Sequence, residues 1–303
     1  LFNRALMGIG MACVLMGGLK VFVLKYPENK FSFYSGLLIS IGYVGTVFST
    51  SPLAYLNTLI GWRKVMFLSG LLVITLSGLI FILLKDETTH HRKEDIKSLN
   101  MVLKIITDKS FWQIGAISFC SYGTFVALQG LWLGPYFMEI KKFSILLTGN
   151  ILFMLAIGSI LGPFFMGYIK DHIFKSIKKI VLVSMLLYGL LFIFFLDFTH
   201  LNFWWYFIVC FLIGFLRSSS ILTYTHIKNL YPSNISGMAT SCINIFVMAG
   251  GGAFMHLIGK IVDFFGDANN PNISYKYAFL LCAISIFLST IIYAFAREEN
   301  KSL

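Results

Sequence analysis

Charge is scarce in this chain. Only 12% of its 303 residues are Asp, Glu, Lys or Arg, about half the share in a soluble globular domain. Hydrophobic residues make up 57%, and mean hydropathy is +0.81, which excludes a water-soluble fold. Acidic groups are scarcer still, 13 in all, and almost all lie in polar segments. Paired carboxylates, a Ser–His couple and a His-rich cluster are therefore missing from membrane depth. A membrane-embedded enzyme would need one of them. The five cysteines (Cys13, Cys120, Cys210, Cys242, Cys282) sit singly inside apolar runs with no CxxC pair, so they read as buried thiols. His90 and His91 lie side by side in a polar segment without a carboxylate or cysteine spaced to complete a metal site, so a solvated loop is the reading. Neither metal nor cofactor is implied. The first apolar run also lacks the basic head and cleavage site of a secretory signal.

What the chain does contain is apolar runs of membrane-crossing length. A spanning helix needs about 20 such residues. Nine runs qualify, near residues 5–24, 34–58, 64–84, 112–137, 145–169, 179–198, 203–228, 237–264 and 276–296. They are continuously apolar rather than alternating, which favours helices over a barrel. The fold class expected is all-α and membrane-embedded.

A net charge of +11 raises the question of nucleic acid, but the basic residues cluster in alternate connections. With the first span running inward, one side holds Lys25, Lys30, Lys85, Arg92, Lys93, Lys97, Lys104, Lys109, Lys170, Lys175, Lys178, Lys179, Lys228, Arg297 and Lys301. The other holds Arg63, Lys64, Lys141, Lys142 and Lys276. Fifteen against five is a positive-inside bias. The partner this implies is a bilayer, and no nucleic acid. Residues 85–110 carry eleven charges, six basic and five acidic. They read as a cytoplasmic linker, part of it an amphipathic helix through Ile96, Leu99, Val102, Leu103 and Ile106. The domains expected are three spans in 1–84, this linker, and a six-helix bundle in 111–303.

Two short segments repeat. Tyr26-Pro27-Glu28-Asn29 and Tyr231-Pro232-Ser233-Asn234 each join two apolar runs, each followed by Ser-Gly (Ser35-Gly36 and Ser236-Gly237). Proline stops the helix before it, and asparagine can cap the helix after it. Matched punctuation suggests two halves built alike, the trace of parallel repeats in transporters.

Five further motifs occur in order. They are Arg4-x-x-x-Gly8-x-Gly10-x-Ala12, Gly61-Trp62-Arg63, Leu131-Trp132-Leu133-Gly134-Pro135-Tyr136, Gly167-x-x-x-Asp171 followed by Lys175, Lys178 and Lys179, and Gly237 through Asn244 with Gly259 and Asp263. They resemble the fourth, sixth and seventh helices, the loop between helices 8 and 9, and the eleventh helix of the major facilitator superfamily (MFS) of transporters. The resemblance covers essentially the whole chain and implies helices 4–12 of a twelve-helix fold. The first-half copy of the Gly-x-x-x-Asp motif would lie before residue 1. The glycine–proline pattern of many proton antiporters is not clear in the fifth helix. A related arrangement, Gly158-x-x-x-Gly162-Pro163-x-x-x-Gly167, stands in the eighth instead, which disfavours a multidrug antiporter.

Ionisable groups within spans need an account, because insertion of an arginine at mid-span costs about 2.5–3.5 kcal/mol. Arg217 lies near the middle of its run. In the family fold its helix lines the central cavity, and an arginine there suits an anionic group. A structural arginine bonded to helix carbonyls or to an acidic neighbour is the alternative. Tyr224, seven residues on, shares its face. Tyr122, Gln129 and Trp132 can share one face of their helix. Asn150 and Asn244 are buried amides, either ligand contacts or interhelical bonds. These seven are the substrate-cavity candidates. Arg4 (by resemblance a coupling or structural residue), Asp171 (by resemblance a gate), His256 and Asp263 are the coupling or gating candidates. His256, Lys260 and Asp263 share a helix face, where a local salt bridge competes with a proton relay. Lys20 reads as snorkelling, and His226, near a helix end, as a headgroup contact. Gly8, Gly17, Gly42, Gly45, Gly158, Gly162 and Gly250–Gly252 are expected to let helices approach closely.

The function implied is secondary transport of a small organic, anionic solute by alternating access, with coupling to protons, in a bacterial inner membrane. A non-transporting receptor or assembly protein on the same fold is the rival. The resemblance also implies that three preceding helices lie outside this sequence. On that reading residues 111–303 fold, while this chain alone lacks a cavity wall and does not transport.

Overall fold

The computed structural model describes residues 2–26, 30–48, 56, 59–83, 97–172, 176–197, 202–266 and 272–298. Among the described residues there are ten main helices and no strand. They are α1 (Phe2–Lys25), α2 (Phe31–Phe48), α3 (Trp62–Leu83), α4 (Lys97–Ile106), α5 (Lys109–Ile140), α6 (Ile145–His172), α7 (Ile177–Asp197), α8 (Trp204–Leu230), α9 (Ser233–Phe264) and α10 (Asn272–Ala294). Seven of them, α3 and α5 to α10, are long and apolar enough to cross a membrane. The two remaining apolar runs form α1 and α2. The molecule is an all-α membrane bundle.

Glycine places the two closest crossings. On α6, Gly158 and Gly162 are four residues apart and share a face. A Cβ on Gly158 would run into the Phe211 carbonyl of α8. One on Gly214 of α8 would run into the Leu155 carbonyl of α6. The second crossing joins α5 to α9, where a Cβ on Gly250 would meet the Phe119 carbonyl. Around these pairs, α10 packs against α7 and α5, and α2 lies along α6. At the α2–α6 contact a Cβ on Gly36 would stand 2.7 Å from the Pro163 carbonyl oxygen. Gly8, Gly17, Gly42, Gly45 and Gly252 were expected in such contacts, but each would meet open space. The sequence shows which residues are small and not which face meets a neighbour.

Two long helices are locally re-wound. In α5, Leu128–Trp132 and Tyr136–Ile140 are π-helical, flanking Pro135. Proline has no N–H to give and crowds the preceding turn, and a wider turn accommodates it. In α8, Ser218–Ile221 form a tighter 3₁₀ turn directly after Arg217.

The linker helix α4 buries Ile105 while Leu103 and Ile106 stand exposed. The apolar face therefore lies beside the one expected. Residues 84–96, with His90 and His91, fall outside the described residues. At α9 the cap position is held by Pro232 without a side-chain cap bond. Asn234 sits inside the first turn instead of capping it.

Where α4 enters the bundle, Asp108 ties three helix ends together. It caps α5 by accepting from the Ser110 N–H at 2.9 Å, accepts from the Tyr231 hydroxyl at 3.0 Å, and pairs with Arg297. Arg297 also donates from its backbone N–H and its Nε to Ser110 Oγ at 3.2 and 3.3 Å. Burial, then the charge of Asp108 and the hydrogen bond to it, push the Tyr231 phenol above its ordinary range.

Gly214→Ala should destabilise the bundle by about 1–3 kcal/mol through forced overpacking. Gly252→Ala should be neutral or stabilising by up to about 1 kcal/mol from helix propensity alone. Thermal unfolding of the purified protein in detergent compares them. The phenol of Tyr231 gives a pH test. Its folded pKa is raised, so its stabilisation is complete below the unfolded value of about 10 and is lost as pH climbs through the folded value. Tyr231→Phe should flatten the fall in thermal stability above about pH 10.

Candidate functional site

A cavity of about 400 Å³ opens among α1, α2, α5, α6, α8 and α9. Its walls are mostly apolar: Met11, Val14 and Leu15 from α1, Leu38 and Ile39 from α2, Ile221 from α8, and Val247 and Met248 from α9. The polar groups gather on one side. They are Arg217, Ser218, Ser220 and Tyr224 from α8, with Ser118 and Tyr122 from α5. Among the lining residues Arg217 alone carries a full charge.

Arg217 is buried, with 7% of its surface exposed. Its guanidinium carbon lies 5.1 Å from the Tyr122 ring centre and 4.7 Å from that of Phe125, within cation–π range. These two aromatic faces from α5 hold the cation beside the cavity in place of bulk water. The glycine crossing of α6 with α8 brings Arg217 in from its own helix. Gly214 is three residues before it, so the close contact at Gly214 fixes the depth and rotation of the turn that carries the arginine. The 3₁₀ turn that follows presents Ser218 and Ser220 to the same space.

Three of the hydroxyls here have their protons committed. Ser118 donates to the Ile114 carbonyl at 2.8 Å and lies 3.1 Å from Thr223 Oγ1, Ser218 donates to Gly214 at 2.7 Å, and Tyr224 donates to Asn244 Oδ1 at 2.9 Å. Their oxygens can still accept. The arrangement offers one guanidinium as donor, several hydroxyl oxygens as acceptors, and an apolar remainder, which is the chemistry of a pocket for an amphipathic anion.

The candidate residues distribute unevenly. Arg217, Tyr224 and Tyr122 line the cavity. Asn244 supports it through its bond to Tyr224. Gln129 and Trp132 are not among the lining residues. The π turn at 128–132 breaks the helical period after Tyr122. It carries Trp132 to Gly259, 3.5 Å from where that glycine's Cβ would stand, and to the edge of Tyr275 at 6.5 Å. Asn150 is exposed on α6, away from the cavity. His256, Lys260 and Asp263 are exposed on α9, and among the described residues no salt bridge joins them. Lys20 is exposed on α1. The side chains of Arg4 and Asp171 lie outside the described residues.

Sequence reasoning missed His226. It is 1% exposed, with Nε2 2.8 Å from the Arg297 carbonyl oxygen and Nδ1 2.7 Å from the Tyr293 hydroxyl. A carbonyl only accepts, so Nε2 carries a proton and donates to it. The histidine bolts α8 to α10. Phe125 was also missed, because an apolar aromatic in an apolar span gives no signal until its neighbour is known.

The family model described as Major Facilitator Superfamily matches residues 1–225 and, in a second match, 176–303. No curated protein sequence matches the chain.

Tyr224→Phe should leave Asn244 without its donor and lower stability by about 0.5–1.5 kcal/mol. Tyr224→Phe combined with Asn244→Leu should recover part of that loss, because no half-satisfied amide remains. Chemical or thermal unfolding of the two variants checks both expectations.

Proposed function

The chain belongs to the major facilitator superfamily, a family of membrane transporters and not of enzymes, and on that premise we propose that its cavity binds a small organic anion and carries it by alternating access. The observation that supports this reading most is the placement of Arg217. A buried guanidinium is expensive in a membrane, and here it borders a cavity of about 400 Å³, within the range of small-molecule sites. An arginine serving structure alone has no need to face open space. The apolar walls supplied by Met11, Val14, Leu38 and Val247 favour a solute with a hydrocarbon or aromatic body. The acceptor oxygens of Ser118 and Ser218 favour a second hydroxyl or N–H on it.

Alternating access rests on two features. One is the α2–α6 contact at Gly36 and Pro163, which joins the first helices to the later ones without side chains between the backbones. The other is the 3₁₀ turn in mid-α8, a kind of irregularity that often marks a hinge. Proton coupling belongs to the same proposal as its least specified part. Among the described residues no carboxylate lines the cavity, so a coupled proton would enter with the solute or through residues outside those described.

The proposal is tested with the purified chain by thermal-shift and equilibrium binding against a panel of aromatic and aliphatic carboxylates and phosphates. At least one should bind saturably. Arg217→Lys should weaken it tenfold or more, because two-pronged recognition is lost, and Arg217→Ala should abolish it. Undiminished binding by Arg217→Ala would overturn the assignment. Saturable, Arg217-dependent uptake into liposomes would then favour a transporter over a receptor on the same fold.

A further inference from the structure

A second cavity, of about 410 Å³, lies on the outside of the bundle between α6 and α7. It is lined by Met166 and Ile169 from α6 and by Ile180, Leu182, Val183 and Ser184 from α7, with Lys179 completing the lining. It exists because α6 and α7 are spaced apart. Among the described residues both pack on α8, and neither makes an extended contact with the other. The space between them is therefore a groove.

Three observations say what chemistry fits. The groove is apolar apart from the Ser184 hydroxyl and the Lys179 ammonium. It lies on a lipid-facing surface, since α6 and α7 are both of membrane-spanning character and α7 continues past the groove with exposed Leu186, Leu187 and Leu190. Lys179 is exposed near the start of α7, at the membrane-surface end of the span. The surrounding segment 170–179 is basic, with Lys170, Lys175, Lys178 and Lys179 against Asp171 alone. Lys178 is turned inward to the Ala296 carbonyl at 2.7 Å, so it serves the bundle. Lys179 lines the groove.

We propose that the groove between α6 and α7 is a binding site for one anionic phospholipid of the bilayer. An acyl chain occupies the space along Met166, Ile180 and Val183, and the phosphate sits on Lys179. The charge match distinguishes this from ordinary annular contact. A zwitterionic lipid offers the same chain but brings its own cation to the phosphate, and basic pockets between spans at the membrane surface recognise anionic headgroups. A free anion would gain nothing from the apolar lining, and a soluble peptide would have to enter the hydrocarbon layer to reach it. The site is separate from the central cavity, which shares no lining residue with it.

Native mass spectrometry of the purified chain, titrated with phosphatidylglycerol or with phosphatidylcholine of the same acyl chains, tests the proposal. The wild-type protein should retain phosphatidylglycerol more tightly, by about fivefold for one lysine at the surface. The preference should shrink as ionic strength rises. Lys179→Gln should erase it while leaving phosphatidylcholine binding unchanged. Val183→Phe, which fills the groove from an exposed position, should weaken both lipids. Lys64→Gln, on α3, should change neither, and thermal unfolding in the same detergent confirms that each variant is folded. Equal retention of the two lipids by the wild-type protein, or an undiminished preference in Lys179→Gln, overturns the proposal. So does displacement of the lipid by soluble glycerol phosphate at equal concentration, which would mean that the groove contributes nothing.

Discussion

Helices inside a bilayer gain nothing by moving apolar side chains from lipid to protein, so their association must come from close backbone approach and from polar contacts that lipid cannot offer. This constraint explains most of the architecture. At the crossing of α6 with α8 each helix presents a glycine to the other's carbonyl, Gly158 to Phe211 and Gly214 to Leu155. The α5–α9 crossing repeats the device with Gly250. Dispersion between backbones in direct contact is available only where no Cβ intervenes. The central cavity is a consequence of where these contacts stop. Beyond the turn of Gly214, α8 leaves its regular winding for the 3₁₀ stretch at 218–221, and Arg217 stands at that transition.

Polar contacts complete the bundle at one end. Lipid cannot satisfy a carbonyl or a carboxylate, so each such group at the membrane boundary looks for a partner within the protein. Asp108 gathers the ends of α5, α8 and α10 through Ser110, Tyr231 and Arg297. His226 adds a second link, taking the carbonyl of the same Arg297 and the hydroxyl of Tyr293. The end of α8 is thereby fixed to α10, while its middle borders open space. Any bending of α8 during transport would concentrate between these two regions, in the residues that also carry the serines of the cavity.

What the sequence made legible was what depends on composition and run length. Over the described residues all nine apolar runs are helical, and Arg217 was legible because a lone charge in such a run has few explanations. Tyr224 followed from its spacing of seven, which survives the 3₁₀ turn because both residues line the cavity. The errors share one physical origin, since helical phase cannot be read through a change of winding. Gln129 and Trp132 were placed on the face of Tyr122 by assuming a regular helix, and the π turn at 128–132 breaks that assumption. The apolar face of α4 was misjudged by a residue or two for want of knowing what it packs on. Asn150 and the His256–Asp263 group were singled out by chemical type, yet they lie on exposed surfaces. Polarity within a span shows that an account is needed without showing which side of the helix supplies it.

The aromatic residues around Arg217 bear on why an arginine occupies this position and not a lysine. Rings can stabilise a cation without neutralising it, and Tyr122 and Phe125 both lie within cation–π range of the guanidinium. A lysine ammonium is compact and strongly hydrated, and it would keep more of its energy tied to water. The planar guanidinium can lie against a ring and still direct N–H groups at a second partner. The same geometry also makes Arg217 sensitive to the winding of α8, because a slight rotation at 218–221 would move the guanidinium relative to rings carried by α5. On the proposed reading, recognition of the solute and the conformation of the helix that recognises it would be coupled through one side chain.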